Sequence, residues 1–285
     1  MPIRQITIIG VGLIGGSFAL ALKKHGFTGR IVASDRETVL ARAQELRAID
    51  SAISDPVLAC RDSQVVMLAT PVSAIIDLME RVGPVLPAGA LLTDVGSTKR
   101  AITDRARAVF GNAAPERFLP GHPITGKEHG GIDRADPDLF RGTPWVFCEG
   151  PTATTQPFID LAKSVGASPV FVSAEQHDRV LARTSHLPQL IATALASQLD
   201  DELSPKNAAA LAGRALRDMT RIADSPYEIW RDIALTNADE IERALVVFEQ
   251  KLTHLRENLR TRELRDEFER AARFRSSLRE SKPDK

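Results

Sequence analysis

Short apolar runs rich in β-branched residues alternate with segments of helical spacing up to about residue 172. The amphipathic segments between these runs include Val72–Val82 and Pro157–Val165. Strands and helices that alternate in this way predict an α/β fold with a Rossmann-like, doubly wound, mainly parallel sheet. The predicted strands are Ile6–Ile9, Ile31–Ser34, Val65–Ala69, Leu91–Val95, Phe118–Pro120, Trp145–Cys148 and Pro169–Val172.

The remainder of the chain is helical in pattern. From Ala174 onward every apolar spacing is three or four residues, so we predict a Rossmann-like domain over residues 1–172 and an all-helical domain over residues 173–285. A narrow seam of coiled-coil type needs a facing helix, either a neighbour in the same chain or a second copy of the chain. The segment from Arg260 is more than half charged and predicts a solvated helical tail. The seam consists of Ile241, Leu245, Phe248, Leu252, Leu255 and Leu259.

Charge and composition narrow the classes of partner. Lys and Arg together number 37, as do Asp and Glu, so a neutral chain has no overall field to hold nucleic acid. No apolar stretch reaches the roughly 18 residues that a membrane span needs. The two cysteines, Cys60 and Cys148, and the six histidines fit no metal-ligand spacing. We therefore expect a cytoplasmic protein with no metal, no membrane contact and no nucleic acid partner.

A glycine-rich segment follows the first predicted strand and opens a predicted helix. Its sequence is Gly10-Val11-Gly12-Leu13-Ile14-Gly15-Gly16-Ser17. In this context the glycines permit a tight turn, a close backbone approach to a pyrophosphate and close packing of helix on strand. We expect a dinucleotide to contact Gly10, Gly12, Leu13, Ile14 and Gly15.

Residues at the ends of two later strands bear on the choice of cofactor. Asp35 lies 20 residues after Gly15, where a carboxylate accepts hydrogen bonds from both adenosine ribose hydroxyls and favours NAD. The next residue, Arg36, would instead hold the 2′-phosphate of NADP, so NADP stays possible. Thr70 and Pro71 lie at the carboxyl edge where the cofactor extends, although an ordinary strand-to-helix turn explains this pair equally well.

Three polar residues are candidates for the reacting centre. Ser97, after a predicted strand, either caps the next helix or turns its hydroxyl toward the nicotinamide. His122 lies between Gly121 and Pro123 on a stiff loop, where an imidazole with an ordinary pKa near 6.5 would accept a hydroxyl proton. His186 precedes a proline inside a helix, and the resulting kink would aim its ring into the cleft unless it is a structural, hydrogen-bonded histidine.

A basic cluster in the helical part offers a grip for a carboxylate. Arg217 and Arg221 share a helix face, and Asp218 shares a face with Arg214 and another with Arg221. The cluster is either an exposed salt-bridged face or a partly buried site that binds a carboxylate bidentately. Because apolar residues adjoin it, we expect at least one arginine to be partly buried.

Together these segments resemble the prephenate and arogenate dehydrogenases of tyrosine biosynthesis, from Ile6 to about Leu259. The matching motifs are Gly10-Val11-Gly12-Leu13-Ile14-Gly15-Gly16-Ser17, Ala69-Thr70-Pro71-Val72, Asp94-Val95-Gly96-Ser97-Thr98-Lys99, Gly121-His122-Pro123-Ile124-Thr125-Gly126, Ser185-His186-Leu187-Pro188 and Arg217-Asp218-Met219-Thr220-Arg221-Ile222-Ala223. The resemblance implies an NAD(P)-dependent oxidative decarboxylation of prephenate or arogenate. It also implies a homodimer formed through the helical domain.

The resemblance further implies a role for each matched residue. His122 matches the catalytic histidine, Ser97 the serine that hydrogen-bonds that histidine and the substrate hydroxyl, and Arg221 the arginine that holds a substrate carboxylate. His186, Glu128 and Trp230 match residues of the substrate pocket. For arogenate, whose side chain carries an ammonium group, Asp218 and Glu128 are candidate acidic partners, and the sequence does not decide between the two substrates.

Two other functions fit the same architecture. A β-hydroxyacid dehydrogenase or imine reductase combines a dinucleotide domain with a helical domain, but such enzymes usually rely on a helical lysine, and none lies between Lys163 and Lys206. A nonenzymatic NAD sensor would need a DNA-reading or effector module, and the sequence shows no basic helix-turn-helix and no spare chain for one.

Overall fold

The computed structural model describes residues 3–127, 129–204 and 210–280. Its first half is built on a six-stranded sheet in the order β3-β2-β1-β4-β5-β6, in which every pair of neighbours is parallel. These strands are Gln5–Ile9 (β1), Arg30–Ser34 (β2), Ser51–Ala52 (β3), Val65–Leu68 (β4), Leu91–Asp94 (β5) and Phe118–Leu119 (β6). The helices of this half are Leu13–Lys24 (α1), Glu37–Glu45 (α2), Pro56–Ala59 (α3), Val72–Val82 (α4), Arg100–Phe110 (α5), Ala114–Arg117 (α6) and Gln156–Ser164 (α7).

The strand order has a switch point between β1 and β4. Both strands are almost wholly buried, because helices cover both faces of the sheet. The residues of the two strands are accordingly nearly all apolar. In doubly wound sheets a ligand binds at the carboxyl ends of the strands on either side of such a switch point. The turns after Ile9 and Leu68 therefore mark the ligand-binding edge.

A second, three-stranded sheet was not predicted. It contains Gly121–Pro123 (β7), Pro144–Phe147 (β8) and Ser168–Phe171 (β9), with β7 antiparallel and β9 parallel to β8. Trp145 on β8 packs its ring 5.4 Å from Phe18 of α1 and 5.8 Å from Phe158 of α7, centroid to centroid. Such aromatic pairs each add about 0.5–1.5 kcal/mol beyond burial, so they fix the small sheet to the large one.

Beyond Phe171 the described residues form helices and turns only. The helices are Ala174–Leu181 (α8), Leu187–Glu202 (α9), Arg214–Thr220 (α10), Tyr227–Thr236 (α11), Ala238–Glu257 (α12) and Glu263–Glu280 (α13). A π-helical turn, Ala182–His186, joins α8 to α9 just before Pro188. The missing N–H of a proline disrupts the regular helical ladder, which accounts for the irregular turn that the sequence predicted as a kink.

The seam along α12 divides into two parts. Ile241 is buried against Ala182 and Ile233 of the same chain, and Leu245 is partly buried there. Leu252 and Leu259 are instead 50% and 64% exposed. The chain therefore covers the start of the seam and leaves Leu252 and Leu259 largely uncovered. The charged tail forms α13, which buries no residue.

Two carboxylates from the helices after Phe171, which we call the helical half, bind the N-termini of helices in the first half of the chain. Asp178 of α8 accepts hydrogen bonds from the backbone N–H groups of Lys99 and Arg100 at the start of α5. Asp232 of α11 accepts hydrogen bonds from the backbone N–H and the hydroxyl of Ser73 in the first turn of α4. A carboxylate at a helix N-terminus binds otherwise unpaired N–H groups and interacts favourably with the helix dipole.

The predicted fold class is confirmed: a Rossmann-like, mainly parallel α/β sheet is followed by an all-helical part. Cys60 and Cys148 are both buried free thiols. Among the helices described, none combines the length and the apolar character needed to cross a membrane.

Candidate active site

In the glycine-rich turn, an added side chain would clash at Gly10 and Gly15 but not at Gly12. Gly10 has a φ of +92°, which favours glycine, and a Cβ there would lie 2.6 Å from the carbonyl oxygen of Ala69. A Cβ at Gly15 would lie 2.0 Å from the carbonyl oxygen of Gly10, so glycine is required for α1 to approach β1. At Gly12, by contrast, a Cβ would meet no atom within 4 Å.

The open space at Gly12 lies at the N-terminus of α1. Gly12 is the N-cap of this helix and receives no side-chain cap hydrogen bond. Leu13 and Ile14 form its first turn and are partly buried. A helix N-terminus with uncapped N–H groups and no bulk in front of it is suited to a phosphate.

Asp35 lies beside the same turn. Its carboxylate accepts hydrogen bonds from the backbone N–H of Val11 at 2.9 Å and from that of Arg36 at 2.7 Å. The Arg36 side chain is 86% exposed, and its Nε lies 4.0 Å from Asp35 Oδ1. The carboxylate, not the guanidinium, therefore faces the glycine-rich turn.

Thr70 and Pro71 connect β4 to α4. Thr70 packs against Gly10, and its Oγ1 is buried with no hydrogen-bond partner among the described residues. Pro71 is exposed and forms the N-cap of α4. Because buried hydroxyls are normally hydrogen-bonded, the Thr70 Oγ1 is available to a polar group that enters beside the turn.

A buried ion pair fixes the strand that carries His122. Lys99 and Asp94 are fully buried, and the Lys99 ammonium donates to the Asp94 carboxylate and, at 2.8 Å, to the carbonyl oxygen of Gly121. Asp94 also accepts a hydrogen bond from the Gly121 N–H at 3.1 Å. Both backbone polar groups of Gly121 are thus bound at the carboxyl end of β5, which places His122 at the ligand-binding edge. His122 lies on β7, paired with Val146, rather than on the predicted loop.

Helix capping, one of the two roles that the sequence allowed for Ser97, is not observed. The next helix, α5, begins at Arg100, and the Asp178 carboxylate from the helical half binds its N-terminal N–H groups. Ser97 is partly buried and forms no hydrogen bond with His122 within the described residues. Its contact with a substrate hydroxyl stays a prediction.

The imidazole of His122 is bound by a second histidine. Its Nδ1 lies 2.9 Å from Nε2 of His177, and His177 Nδ1 lies 2.8 Å from Asp178 Oδ1. Burial, together with positive charge at His177, Lys99 and His186, lowers the pKa of His122 well below the ordinary 6.5 that the sequence suggested. His122 is therefore neutral at pH 7, as a proton acceptor must be.

His186 is a buried, hydrogen-bonded histidine next to Trp230. Asn237 Nδ2 donates to His186 Nδ1 at 3.3 Å, and the rings of His186 and Trp230 meet edge to face with centroids 6.1 Å apart. Burial lowers the pKa of His186 to about 4. An Nδ1 that accepts from Asn237 leaves the ring proton on Nε2.

A cavity of about 630 Å³ is lined by the predicted Arg221 and by Trp230, whose ring contacts that of His186. Gln189 of α9 supports this arginine, because its side-chain amide donates to the Ile222 carbonyl at 2.8 Å and accepts from the Ser225 hydroxyl. The volume is in the range of small-molecule sites. The cavity is lined by Gly126, Lys127, Thr184, Ser185, Pro188, Gln189, Arg221, Ile222, Ser225 and Trp230.

The basic cluster differs from the prediction in two respects. Arg214, Arg217 and Arg221 are all exposed, so the expected partial burial of an arginine was wrong in the single chain. The physical reason is that Met219, one of the adjoining apolar residues, is itself 57% exposed, so this face of α10 is not covered. Asp218 pairs with Arg214 at 3.5 Å on α10 and does not line the cavity, whereas Glu128 lies outside the described residues.

Two family models match this chain. One, described as prephenate dehydrogenase, nucleotide-binding domain, matches residues 18–168. The other, described as prephenate dehydrogenase, dimerization domain, matches residues 173–274. The chain belongs to the prephenate dehydrogenase family. The resemblance expected from the six motifs is thereby confirmed.

Relatives of known name agree with this membership. A prephenate dehydrogenase of Lactococcus lactis subsp. cremoris is 34% identical over 83% of this chain, and the chain spans 66% of that protein's length. The solved structure of a prephenate dehydrogenase from A. aeolicus in complex with hydroxyphenyl propionate and NAD+ has a TM-score of 0.84 at 29% identity and covers 98% of this chain and 97% of its own. The structure of a Synechocystis arogenate dehydrogenase has a TM-score of 0.79 at 28% identity, with 96% and 99% covered.

The sequence analysis missed the residues that bind the His122 ring and the backbone of Gly121. His177 and Asp178 were not predicted, although a His-Asp pair at the start of the first helix after the sheet was available as a signal. Lys99 and Asp94 were quoted only as parts of a motif. No group of three or more His, Cys, Asp or Glu is placed to hold a metal ion within the described residues.

Proposed function

We propose that this chain is an NAD-dependent dehydrogenase that oxidatively decarboxylates prephenate or arogenate. The observation that carries the proposal is the position of His122. Its neutral imidazole lies at the carboxyl edge of the parallel sheet, on which the glycine-rich turn also lies, and the loop after it leads to the cavity that contains Arg221. Membership of the prephenate dehydrogenase family supports the same assignment.

The residues around the glycine-rich turn fit NAD. The space in front of Gly12 and the uncapped N-terminus of α1 suit a pyrophosphate, and the buried Thr70 hydroxyl lacks a partner. Asp35 would bind the adenosine ribose, and its negative charge would repel the 2′-phosphate of NADP. Gly10, Leu13, Ile14, Gly15, Arg36 and Pro71 complete the proposed cofactor site. When bound, NAD supplies the acceptor for the hydride.

The side chains of this protein would supply the acid–base and binding steps. His122 would take the proton of the C4 hydroxyl while the C4–H bond breaks with loss of hydride, which forms a C4 carbonyl. The bond between the ring and its carboxylate then breaks, carbon dioxide leaves, and the electron pair makes the ring aromatic. The proton on His122 returns to the phenolate oxygen. Loss of carbon dioxide makes the sequence effectively irreversible.

The other site residues would orient the substrate. We propose that Arg221 binds one carboxylate through its guanidinium and that Ser97 contacts the hydroxyl that loses its proton. The proton on His186 Nε2 makes this histidine a hydrogen-bond donor, with Trp230 as the apolar wall beside it. Glu128 is the acidic candidate for the ammonium group of arogenate, because Asp218 pairs with Arg214 outside the cavity.

We further propose a cytoplasmic homodimer formed through residues 173–285, with residues 1–172 as the dinucleotide-binding domain. Exposed apolar side chains on α12, such as Val247 and Leu252, and the description of the second family model support the dimer. The buried free thiols of Cys60 and Cys148 support a reducing compartment.

Four rates test the proposed activity. The purified protein is incubated with NAD or NADP and with prephenate or arogenate, and the absorbance of the reduced nucleotide is followed. We expect the NAD rates to exceed the NADP rates and at least one of the two substrates to be oxidised. No reduced nucleotide in any of the four mixtures contradicts the proposal.

A further inference from the structure

A hydrogen-bonded chain of three side chains runs from the helical half of the molecule to the His122 ring. It consists of Asp178, His177 and His122, joined by contacts of 2.8 Å and 2.9 Å. Asp178 and His177 are buried, whereas His122 is partly exposed at the ligand-binding edge. Each contact can hold only one proton, so the proton positions along the chain are linked.

The surroundings of Asp178 fix the first proton. Its carboxylate accepts from the N–H groups of Lys99 and Arg100 at 2.7 Å and 2.9 Å, and it lies at the N-terminus of α5. Burial alone would raise the pKa of Asp178, but hydrogen bonds from His177 and from these N–H groups outweigh burial and lower it. An ionised carboxylate only accepts hydrogen bonds, so the proton of the first contact belongs to His177 Nδ1.

The state of His177 fixes the second proton. Burial, reinforced by the positive charge of Lys99, outweighs the hydrogen bond that His177 donates to Asp178 and lowers the pKa of His177 below 6.5, so the ring is neutral at pH 7. A neutral imidazole that is protonated at Nδ1 has a bare Nε2, which accepts. The proton of the second contact therefore belongs to Nδ1 of His122.

We propose that Asp178 and His177 are positioning residues that hold His122 in the tautomer protonated at Nδ1, with Nε2 as its proton-accepting atom. Within the described residues, Nδ1 carries the one hydrogen bond of the His122 ring, so Nε2 keeps its lone pair. The consequence for catalysis rests on the proposed function. The tautomer itself does not depend on that function.

The linked proton positions predict the effect of replacing Asp178. In a Ser-His-Asp triad, replacing the aspartate by asparagine gives the wrong imidazole tautomer and lowers kcat by about 10⁴. Asp178→Asn would donate to His177 Nδ1, move the proton to His177 Nε2, and so place the His122 proton on Nε2. We expect kcat to fall by about 10²- to 10⁴-fold with KM nearly unchanged.

Two substitutions at position 177 distinguish an effect on the His122 tautomer from an effect on folding. His177→Gln keeps a carbonyl oxygen near the position of Nε2 and accepts from His122 Nδ1, whereas His177→Leu cannot accept. We expect kcat of the Leu variant to fall at least tenfold further than that of the Gln variant. Circular dichroism and thermal unfolding establish that each variant is folded.

The tautomer is read directly by ¹⁵N NMR of the ligand-free protein labelled at histidine, with the His122→Asn spectrum to assign the signals. We expect a protonated Nδ1 and a bare Nε2 at His122 in the wild type and in His177→Gln. A wild-type His122 protonated at Nε2 overturns the proposal, as does a folded His177→Leu protein with the wild-type tautomer and kcat. If neither prephenate nor arogenate is oxidised, the proposed function fails, while this spectrum still decides the tautomer.

Discussion

At the scale of single residues, three histidines share one buried region and are all neutral at pH 7. Burial lowers the pKa values of His122, His177 and His186, and their mutual repulsion when protonated adds to the shift at His122. Neutrality gives each ring one donor and one acceptor, so a residue's role depends on which nitrogen its neighbour occupies. His122 is held at Nδ1 by His177, and His186 at Nδ1 by Asn237.

Replacement of His122 tests its role as the base. In His122→Asn the side-chain amide can still donate to His177, but no group remains to accept the substrate proton. We expect the rate constant for hydride transfer, measured by stopped-flow absorbance, to fall roughly 10²- to 10⁴-fold. The dissociation constant for NAD should stay nearly unchanged. A variant with wild-type turnover would remove His122 as the base.

The sequence pointed to the candidate ligand-binding residues more readily than to the residues that hold them in place. His122 was evident from its Gly and Pro neighbours, and Arg221 and Trp230 from the resemblance to a family. The contact between His122 and His177 joins residues 55 positions apart, and only the docking of α8 on the start of α5 brings them together. No local pattern contains that information, and none shows that Asp178 binds the N-terminus of α5.

At the scale of elements, the N-termini of three helices have different partners. Those of α4 and α5 bind carboxylates from the helical half, while α1 has no side-chain cap and faces open space at Gly12. Helix N-termini attract anions in each case. Two of them fix the helical half in place, and the third is left for the proposed pyrophosphate.

Two alanine substitutions in the glycine-rich turn should affect different quantities, one NAD binding and the other stability. Gly12→Ala adds a methyl group in open space, so we expect unchanged unfolding free energy and NAD binding weakened by about 1.4 kcal/mol or more, tenfold in Kd. Gly15→Ala forces Cβ against the Gly10 carbonyl and should lower the unfolding free energy by about 1–3 kcal/mol. Urea unfolding and fluorescence titration measure the two quantities. Equal effects on both variants would contradict this assignment of the turn.

Element prediction succeeded where hydrophobic periodicity was long. The bounds of α4 match those predicted, and the predicted strands overlap those observed to within one or two residues. The strands β3 and β7 were missed, because Ser51–Ala52 and Gly121–Pro123 contain none of the β-branched or aromatic residues that favour strands. The separate three-stranded sheet was missed for another reason, since the sequence predicts strands without saying which of them pair.

At the scale of the whole molecule, the buried histidines link stability to pH. The pKa of His186 is about 4 in the folded protein and near 6.5 when exposed, so the stabilisation from its neutral form is complete above pH 6.5 and is lost as the pH falls toward 4. We expect the unfolding free energy to fall over this window by up to about 1.4 kcal/mol per pH unit for each such histidine. In His186→Gln the slope from urea unfolding should be smaller, and an identical slope would contradict this role.

The proposed dimer predicts an effect of charge on the exposed part of the α12 seam. Leu252→Asp should shift the molar mass from light scattering toward that of the monomer, because a buried carboxylate in an apolar interface is costly. Val85→Asp is the matched control, since Val85 is similarly exposed but lies outside the helical half. A dimer that survives Leu252→Asp, or dissociates equally with Val85→Asp, would place the interface elsewhere.

The central claim is that a neutral imidazole beside a dinucleotide site couples hydride loss to decarboxylation of a cyclohexadienol. The most direct test measures carbon dioxide and reduced nucleotide together in one reaction of the wild-type protein with NAD and prephenate, and in a parallel reaction with arogenate. We expect one carbon dioxide released for each nucleotide reduced with the accepted substrate. Reduced nucleotide without carbon dioxide would contradict the claim and favour a simple hydroxyacid dehydrogenase, and the absence of both products with either substrate would refute it.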